Sequence, residues 1–144
     1  MQRDIDCIFC KIISAQVPAH VVHEDQTTIA FLDSGPLAEG HLLVVPREHF
    51  TRLSDIPAEL AAELGAKLPV LSRALKKVTS VEAFNVLCNE GESAGQMVRH
   101  VHFHLIPRRP NDSLGYRWNA GTYPAGKAAE LAAAFQQAIA SHGR

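Results

Sequence analysis

His100, His102 and His104 stand two residues apart in HVHFHLIP, alternating with Val101, Phe103 and Leu105. A period of two is a strand pattern, which sends the imidazoles to one face and the apolar side chains to the other. Burial stabilises the apolar face. Three imidazoles in register need another reason. An imidazole with an unperturbed pKa of about 6.5 is mostly neutral at pH 7, so it can attack, accept a proton or bind a metal. Three uses fit the pattern: a polar strand side facing water, a metal site built on histidines at i and i+2, or catalysis with one ring as nucleophile and the others as donors.

The loop before the histidines favours catalysis. NEGESAGQ, Asn89 to Gln96, holds two glycines among small polar residues. Such a loop can turn backbone N–H groups inward to hold an anion. Anion-holding amides beside a row of imidazoles suit phosphate chemistry. His41 opens the apolar run HLLVVP, and Asp33 closes TIAFLD. Both fall at strand ends, where side chains reach a cleft. No cluster of carboxylates suits magnesium, so a Mg2+ requirement is not expected.

Cys7 and Cys10 have Cys-x-x-Cys spacing, which places both sulfurs on one side of a turn or short helix. Zinc needs four ligands, so the pair alone is half a site. A redox pair and two ordinary apolar cysteines are the alternatives, though no thioredoxin-like βαβ pattern surrounds them. Cys88, read as mid-strand, is expected to be a small buried apolar residue. GTYPAGKA, Gly121 to Ala128, resembles a phosphate-binding loop but lacks the Ser or Thr after its lysine and a preceding apolar strand. His20, His23 and His142 are expected at the surface or in loops. Trp118 and Tyr123 lie in a polar tail segment able to reach a partner subunit.

These groups need a scaffold, and 144 residues make one domain with a self-sufficient core. The net charge of −1 argues against a nucleic-acid coat or a basic membrane surface. The first ten residues do not read as a signal peptide, no run approaches a membrane span, and three cysteines fit a reducing cytoplasm. CIFCKIISAQ reads as a short helix. His20–Asp25 and Thr27–Asp33 read as a hairpin, His41–Pro46 as a third strand, Ala83–Asn89 as a fourth and HVHFHLIP as a fifth. Between them, SDIPAELAAELGAKLPVLSRALKKV reads as a long helix. Ser54 or Asp55 is its expected cap, Pro69 its bend, and Leu60, Leu64, Leu68, Leu71, Leu75 and Val78 its buried stripe. A C-terminal helix spans about 125–141 and ends near Gly143. The segregated order predicts α+β, with a five-stranded, mainly antiparallel sheet.

HVHFHLIPR resembles the motif of the histidine triad (HIT) family. CIFCKI, AFLDSGPLAEGHLLVVPREHF and NEGESAGQMVRHVHFHLIPR fall in that family's order, and only the last helix lies outside the match. The resemblance implies a single HIT-like domain over 1–144, paired into a homodimer with a continuous sheet, and a cytoplasmic enzyme acting on a nucleotide's α-phosphate. It implies that His102 is the nucleophile, that His104 contacts phosphate and assists the leaving group, and that His100 supports His102 through its carbonyl. His41 would line the pocket. Asp33 would hold the ribose, and Phe31 would lie beside the base. Asn89, Gly95, Gln96 and the Met97 amide would bind phosphate. Met97 stands where the family's phosphoramidase branch often has serine, and a thioether is a poor hydrogen-bond partner. The substrate implied is a purine nucleoside phosphoramidate or related conjugate, with dinucleoside polyphosphates or a slow nucleotide-binding module as alternatives. The resemblance also completes a structural zinc site with Cys7, Cys10, His49 and His100.

Overall fold

The apolar runs pair into one antiparallel sheet. Its strands are β1 (Val21–Glu24), β2 (Thr28–Leu32), β3 (Leu42–Pro46), β4 (Ala83–Leu87) and β5 (Phe103–Arg108), in the order β1-β2-β3-β5-β4. The computed structural model describes residues 1–114 and 120–142. The chain divides into two compact units, Met1–Leu114 and Gly115–Arg144. The first holds the sheet with α1 (Ile8–Ile13) and α2 (Ala58–Thr79), and the second holds α3 (Lys127–His142). The class is α+β, as the element order predicts.

β3 lies at the centre, and all five of its residues are buried. Strand alternation divides them between two cores. Leu43 and Val45 join Ile29 and Phe31 beneath Phe9, Cys10 and Ile13 of α1. Leu42 and Val44 join Ala30 and Leu105 beneath Leu64, Leu71 and Leu75 of α2. In β5, His104 pairs with Leu43 and Leu105 with Leu42. The imidazole parity therefore faces α1, and the apolar parity faces α2. The turn between β1 and β2 is closed by Asp25, whose Oδ1 accepts from the amides of Thr27 at 2.9 Å and Thr28 at 2.8 Å. Lys67 of α2 makes an ion pair with the same carboxylate. Gly40, at φ +92°, turns the chain into β3, and a Cβ there would collide with the Thr79 methyl.

Several local expectations change. Ser54 and Asp55 belong to a separate 3-10 turn, Leu53–Asp55, and α2 starts after Pro57 with no side-chain cap. Pro69 falls inside the helix, as the sequence places it. Leu64, Leu71 and Leu75 are buried, but Val78, in the last turn, is 82% exposed because Val81 fills the core there. β4 ends at Leu87, so Cys88 lies beyond the strand and is only half-buried. β5 begins at Phe103: His100 and His102 precede the ladder, where the Val101 amide donates to the Phe50 carbonyl at 2.7 Å. His20 is exposed, and His23 sits half-buried in β1. Trp118 and Gly143 lie outside the described residues, and Tyr123 is exposed. Among the described residues no helix is long and apolar enough to cross a membrane.

Candidate active site and metal centre

Three segments meet over the α1 face of the sheet. Cys7 immediately precedes α1 and Cys10 lies in its first turn, so both thiols point to one side. His49 follows β3 by three residues, and the bond from Val101 to Phe50 holds His100 against that segment. The Sγ of Cys7 lies 3.4 Å from His100 Nδ1, and the Sγ of Cys10 lies 3.4 Å from His49 Nδ1 and 3.7 Å from His100 Nδ1. The two Nδ1 atoms are 3.2 Å apart. A tetrahedral zinc, with Zn–S of about 2.3 Å and Zn–N of about 2.0–2.1 Å, separates S from N by about 3.6 Å and N from N by about 3.3 Å. The donor set and its edge lengths therefore fit such an ion. His100 Nε2 donates to the Pro46 carbonyl at 2.9 Å, which leaves the Nδ1 lone pair for a metal. Burial pushes the Cys7 thiol up, the Cys10 amide opposes that rise, and the charge of Cys10 adds to it. A cation among the four donors would reverse it.

The second cluster begins two residues along. The carbonyl of His100 accepts from His102 Nδ1 at 2.6 Å. A carbonyl only accepts, so the proton of neutral His102 sits on Nδ1 and its Nε2 carries a free lone pair. Phe9 packs edge-on against the ring, with centroids 5.1 Å apart, and fixes its plane. His102 is buried, and His104 lies half-buried beside it at a centroid distance of 4.9 Å. His104 Nδ1 meets His41 Nε2 at 2.9 Å, and Asp33 Oδ2 lies 3.6 Å from that same Nε2. The Asp33 amide donates to the His41 carbonyl at 2.9 Å, which joins the ends of β2 and β3. Burial lowers the pKa of His102, against the opposing effects of the His100 carbonyl and Asp33. Burial, with the charges of His102 and His41, brings His104 down to about 4. Both rings are neutral near pH 7.

The glycine loop adjoins these rings in sequence. Gly91 adopts φ 88° and ψ 155°, a conformation that essentially only glycine reaches, and Gly95 sits at φ 91°. Between them runs a 3-10 turn, Glu92–Ala94. The Gln96 side chain braces the loop from within. Its Oε1 accepts from the Gly91 amide at 2.8 Å, and its Nε2 donates to the carbonyls of Thr51 at 2.7 Å and Val98 at 3.1 Å. Both amide hydrogens are thus engaged. Asn89 is half-buried, with Nδ2 near Gly95, and Met97 is 89% exposed. Phe31 is 3% exposed and packs edge-on against Phe9, so its ring belongs to the core.

The structure therefore brings together Cys7, Cys10, His49 and His100 in one group and Asp33, His41 and His104 in another, with His102 between them. Sequence reasoning passed over four residues here. Phe9 supports two imidazoles, the Pro46 carbonyl orients His100, the Leu37 amide donates to His41 Nδ1 at 3.1 Å, and the Asp4 amide donates to Cys10 Sγ at 3.4 Å. Only Phe9 carried a signal, as the large apolar residue inside the Cys-x-x-Cys.

Comparison with known proteins agrees with this geometry. A model of the HIT domain matches residues 14–111. The chain is 40% identical over 109 residues to adenylylsulfatase HINT3 of Arabidopsis thaliana, covering 76% of this chain and 55% of that one, so it spans about half of that relative's length. It is 44% identical over 110 residues to adenosine 5'-monophosphoramidase HNT1 of Saccharomyces cerevisiae, covering 76% of this chain and 67% of that one. Among solved structures, a zinc-bound histidine triad family protein from Mycobacterium smegmatis superposes with a TM-score of 0.73 at 33% identity, covering 90% of this chain and 98% of that one. With this fold, this histidine run and these relatives, the chain belongs to the HIT domain family.

Proposed function

We propose that the chain is a nucleotide hydrolase that cleaves purine nucleoside phosphoramidates, or related conjugates, at the α-phosphate. The observation that carries this reading is the 2.6 Å bond from His102 Nδ1 to the His100 carbonyl, which leaves the unshared pair on Nε2. That pair forms a bond to phosphorus as the bond to the leaving group breaks, giving a nucleotidyl-histidine. Water then attacks the same phosphorus, releases the nucleoside monophosphate and restores the ring. Asp33 binds the ribose hydroxyls, and Asn89, Gly95, Met97 and His104 surround the phosphate, with donors offsetting the transition-state charge. Phe31 supports the base pocket from beneath, through the core. Zinc on Cys7, Cys10, His49 and His100, when bound, would cross-link the N-terminal segment to the histidine run and take no part in the reaction. The named activity of the yeast relative and the zinc in the mycobacterial structure support these assignments. The functional unit in this reading is a cytoplasmic homodimer, with residues 1–144 acting as one domain.

A rapid-quench experiment with a phosphoramidate substrate tests this proposal. A nucleotide should appear on the wild-type chain within one turnover and be absent from His102→Ala. If the variant keeps near-normal turnover, the assignment fails. The exposed thioether of Met97, in place of a hydroxyl, favours one alternative, a dinucleoside polyphosphate substrate. A panel pairing the two substrate classes separates them by kcat/KM.

A further inference from the structure

We infer that the Leu37 backbone amide, acting through His41, fixes the proton of His104 on Nε2, so that His104 is an uncharged hydrogen-bond donor and not the proton source for the leaving group. This rests on the preceding reading for its catalytic meaning, but the proton positions stand on geometry alone.

The derivation starts from the one group that has no choice. A backbone N–H can only donate, and that of Leu37 points at His41 Nδ1 from 3.1 Å. His41 Nδ1 must therefore be unprotonated. The ring is almost fully buried, at 2% exposure, and carries its proton on Nε2. That Nε2 lies 2.9 Å from His104 Nδ1 and 3.6 Å from Asp33 Oδ2. An N–H there serves the imidazole and is favoured by the nearby carboxylate, and a ring bare at both nitrogens would be an anion beside that carboxylate. His104 Nδ1 is thus an acceptor, and the proton of His104 sits on Nε2, remote from His41.

Charging His104 requires a second proton on Nδ1, where it would meet the His41 N–H head-on. His41 could give way only by moving its own proton to Nδ1, and there it would meet the Leu37 N–H. The amide blocks the relay at its far end. A neutral His104 cannot release its remaining proton without becoming an anion, a state imidazole does not reach near neutral pH. The lowered pKa of His104, due first to burial, points the same way. In the displacement, the His102 Nε2 pair forms the new bond to phosphorus, and the bonding pair of the old one leaves with the departing atom. Water supplies the proton which that atom needs. The Nε2–H of His104 hydrogen-bonds without being transferred. His41 is a positioning residue in this scheme, and Leu37 acts through its backbone.

Long-range 1H–15N spectra of the labelled wild-type chain at neutral pH test the proton positions directly. Both His41 and His104 should show a protonated Nε2 and a bare Nδ1. A proton on either Nδ1, or a doubly protonated His104, overturns the inference. His41→Gln supplies a carbonyl for the Leu37 amide and an N–H for His104, so the His104 pattern should survive. His41→Leu should release it into a mixture of tautomers, and an unchanged pattern there would also overturn the idea. Kinetically, His104→Gln keeps a donor that does not titrate and should lower kcat less than tenfold. A loss of about 10²–10⁴, the usual worth of a general acid, would make His104 the proton source after all. Absence of the nucleotide adduct on wild-type His102 would sink the preceding reading while leaving these ring protons in place.

Discussion

His100 and His102 stand two residues apart on the same face, yet their surroundings differ, and the proposed roles differ with them. His100 engages both ring nitrogens inside the protein: Nδ1 faces two thiols and His49, and Nε2 donates to Pro46. His102 engages one, Nδ1 on the His100 carbonyl, and its other nitrogen has no partner among the described residues. Burial lowers both pKa values, His100 to about 4 against the opposing Pro46 carbonyl, so neutrality does not distinguish them. The partner of the second nitrogen does. A structural imidazole is saturated, whereas a reactive one is held by one side and open on the other.

The sharpest way to break this comparison is His102→Ala. We expect turnover to fall roughly 10³-fold or more, as for loss of a nucleophile, with metal content and melting temperature unchanged by metal analysis and calorimetry. A matched loss of metal would mean that the two sites are one. Next comes Cys10→Ser. Zinc uptake by the purified chain should fall from the proposed one ion per chain toward none, and Tm in zinc should drop on the order of 10 °C, since a structural zinc contributes directly to folding. A variant with full activity but no metal would separate the sites completely. Gln96→Ala tests the glycine loop proposed to hold the phosphate. Losing its internal bonds should raise KM about tenfold if the loop amides bind phosphate as proposed, with metal content intact. An unchanged KM would show that the loop holds its shape without the brace.

The smallest effect is expected far from both sites. Burial alone would raise the Asp25 carboxyl, but the Lys67 ammonium and the Thr27 and Thr28 amides hold it well below the usual carboxylate range. Its folded pKa is thus below its unfolded one. The resulting stability is fully present above the ordinary carboxylate pKa of about 4 and is lost as pH falls below it. Asp25→Asn should therefore be less stable than wild type near neutrality, and the gap in urea midpoints should close in acid. Activity should not move, and a change in kcat would mean that the hairpin communicates with the pocket.

What the sequence made legible was periodicity. The alternation of imidazole and apolar residues placed the histidines on one face, and the apolar runs located every strand and α2. Its limits lay where contacts join distant segments. The resemblance puts Phe31 beside the base, and nothing local shows that its ring packs against Phe9 arriving from α1. Gln96 reads as one more polar loop residue, and nothing nearby shows its amide spent on Thr51, 45 residues away. Val78 has the right helical phase, but phase does not tell where the underlying sheet gives out to Val81. Ser54 resembles a cap until its hydroxyl is found on Glu90, at 2.7 Å. Which histidine nitrogen is free is a tertiary property throughout.

The link between Cys7 and His100 spans 93 residues, and that between Cys10 and His100 spans 90. A chain made from its N-terminus exposes the thiols long before their imidazole partner exists, and closing so long a loop is entropically costly and late. Until the core of β2, β3 and α1 closes over them and His100 arrives, the thiols are open to oxidants. Oxidant added during refolding should therefore lower the recovery of folded chain more than the same oxidant added afterwards, when Cys7 and Cys10 are buried.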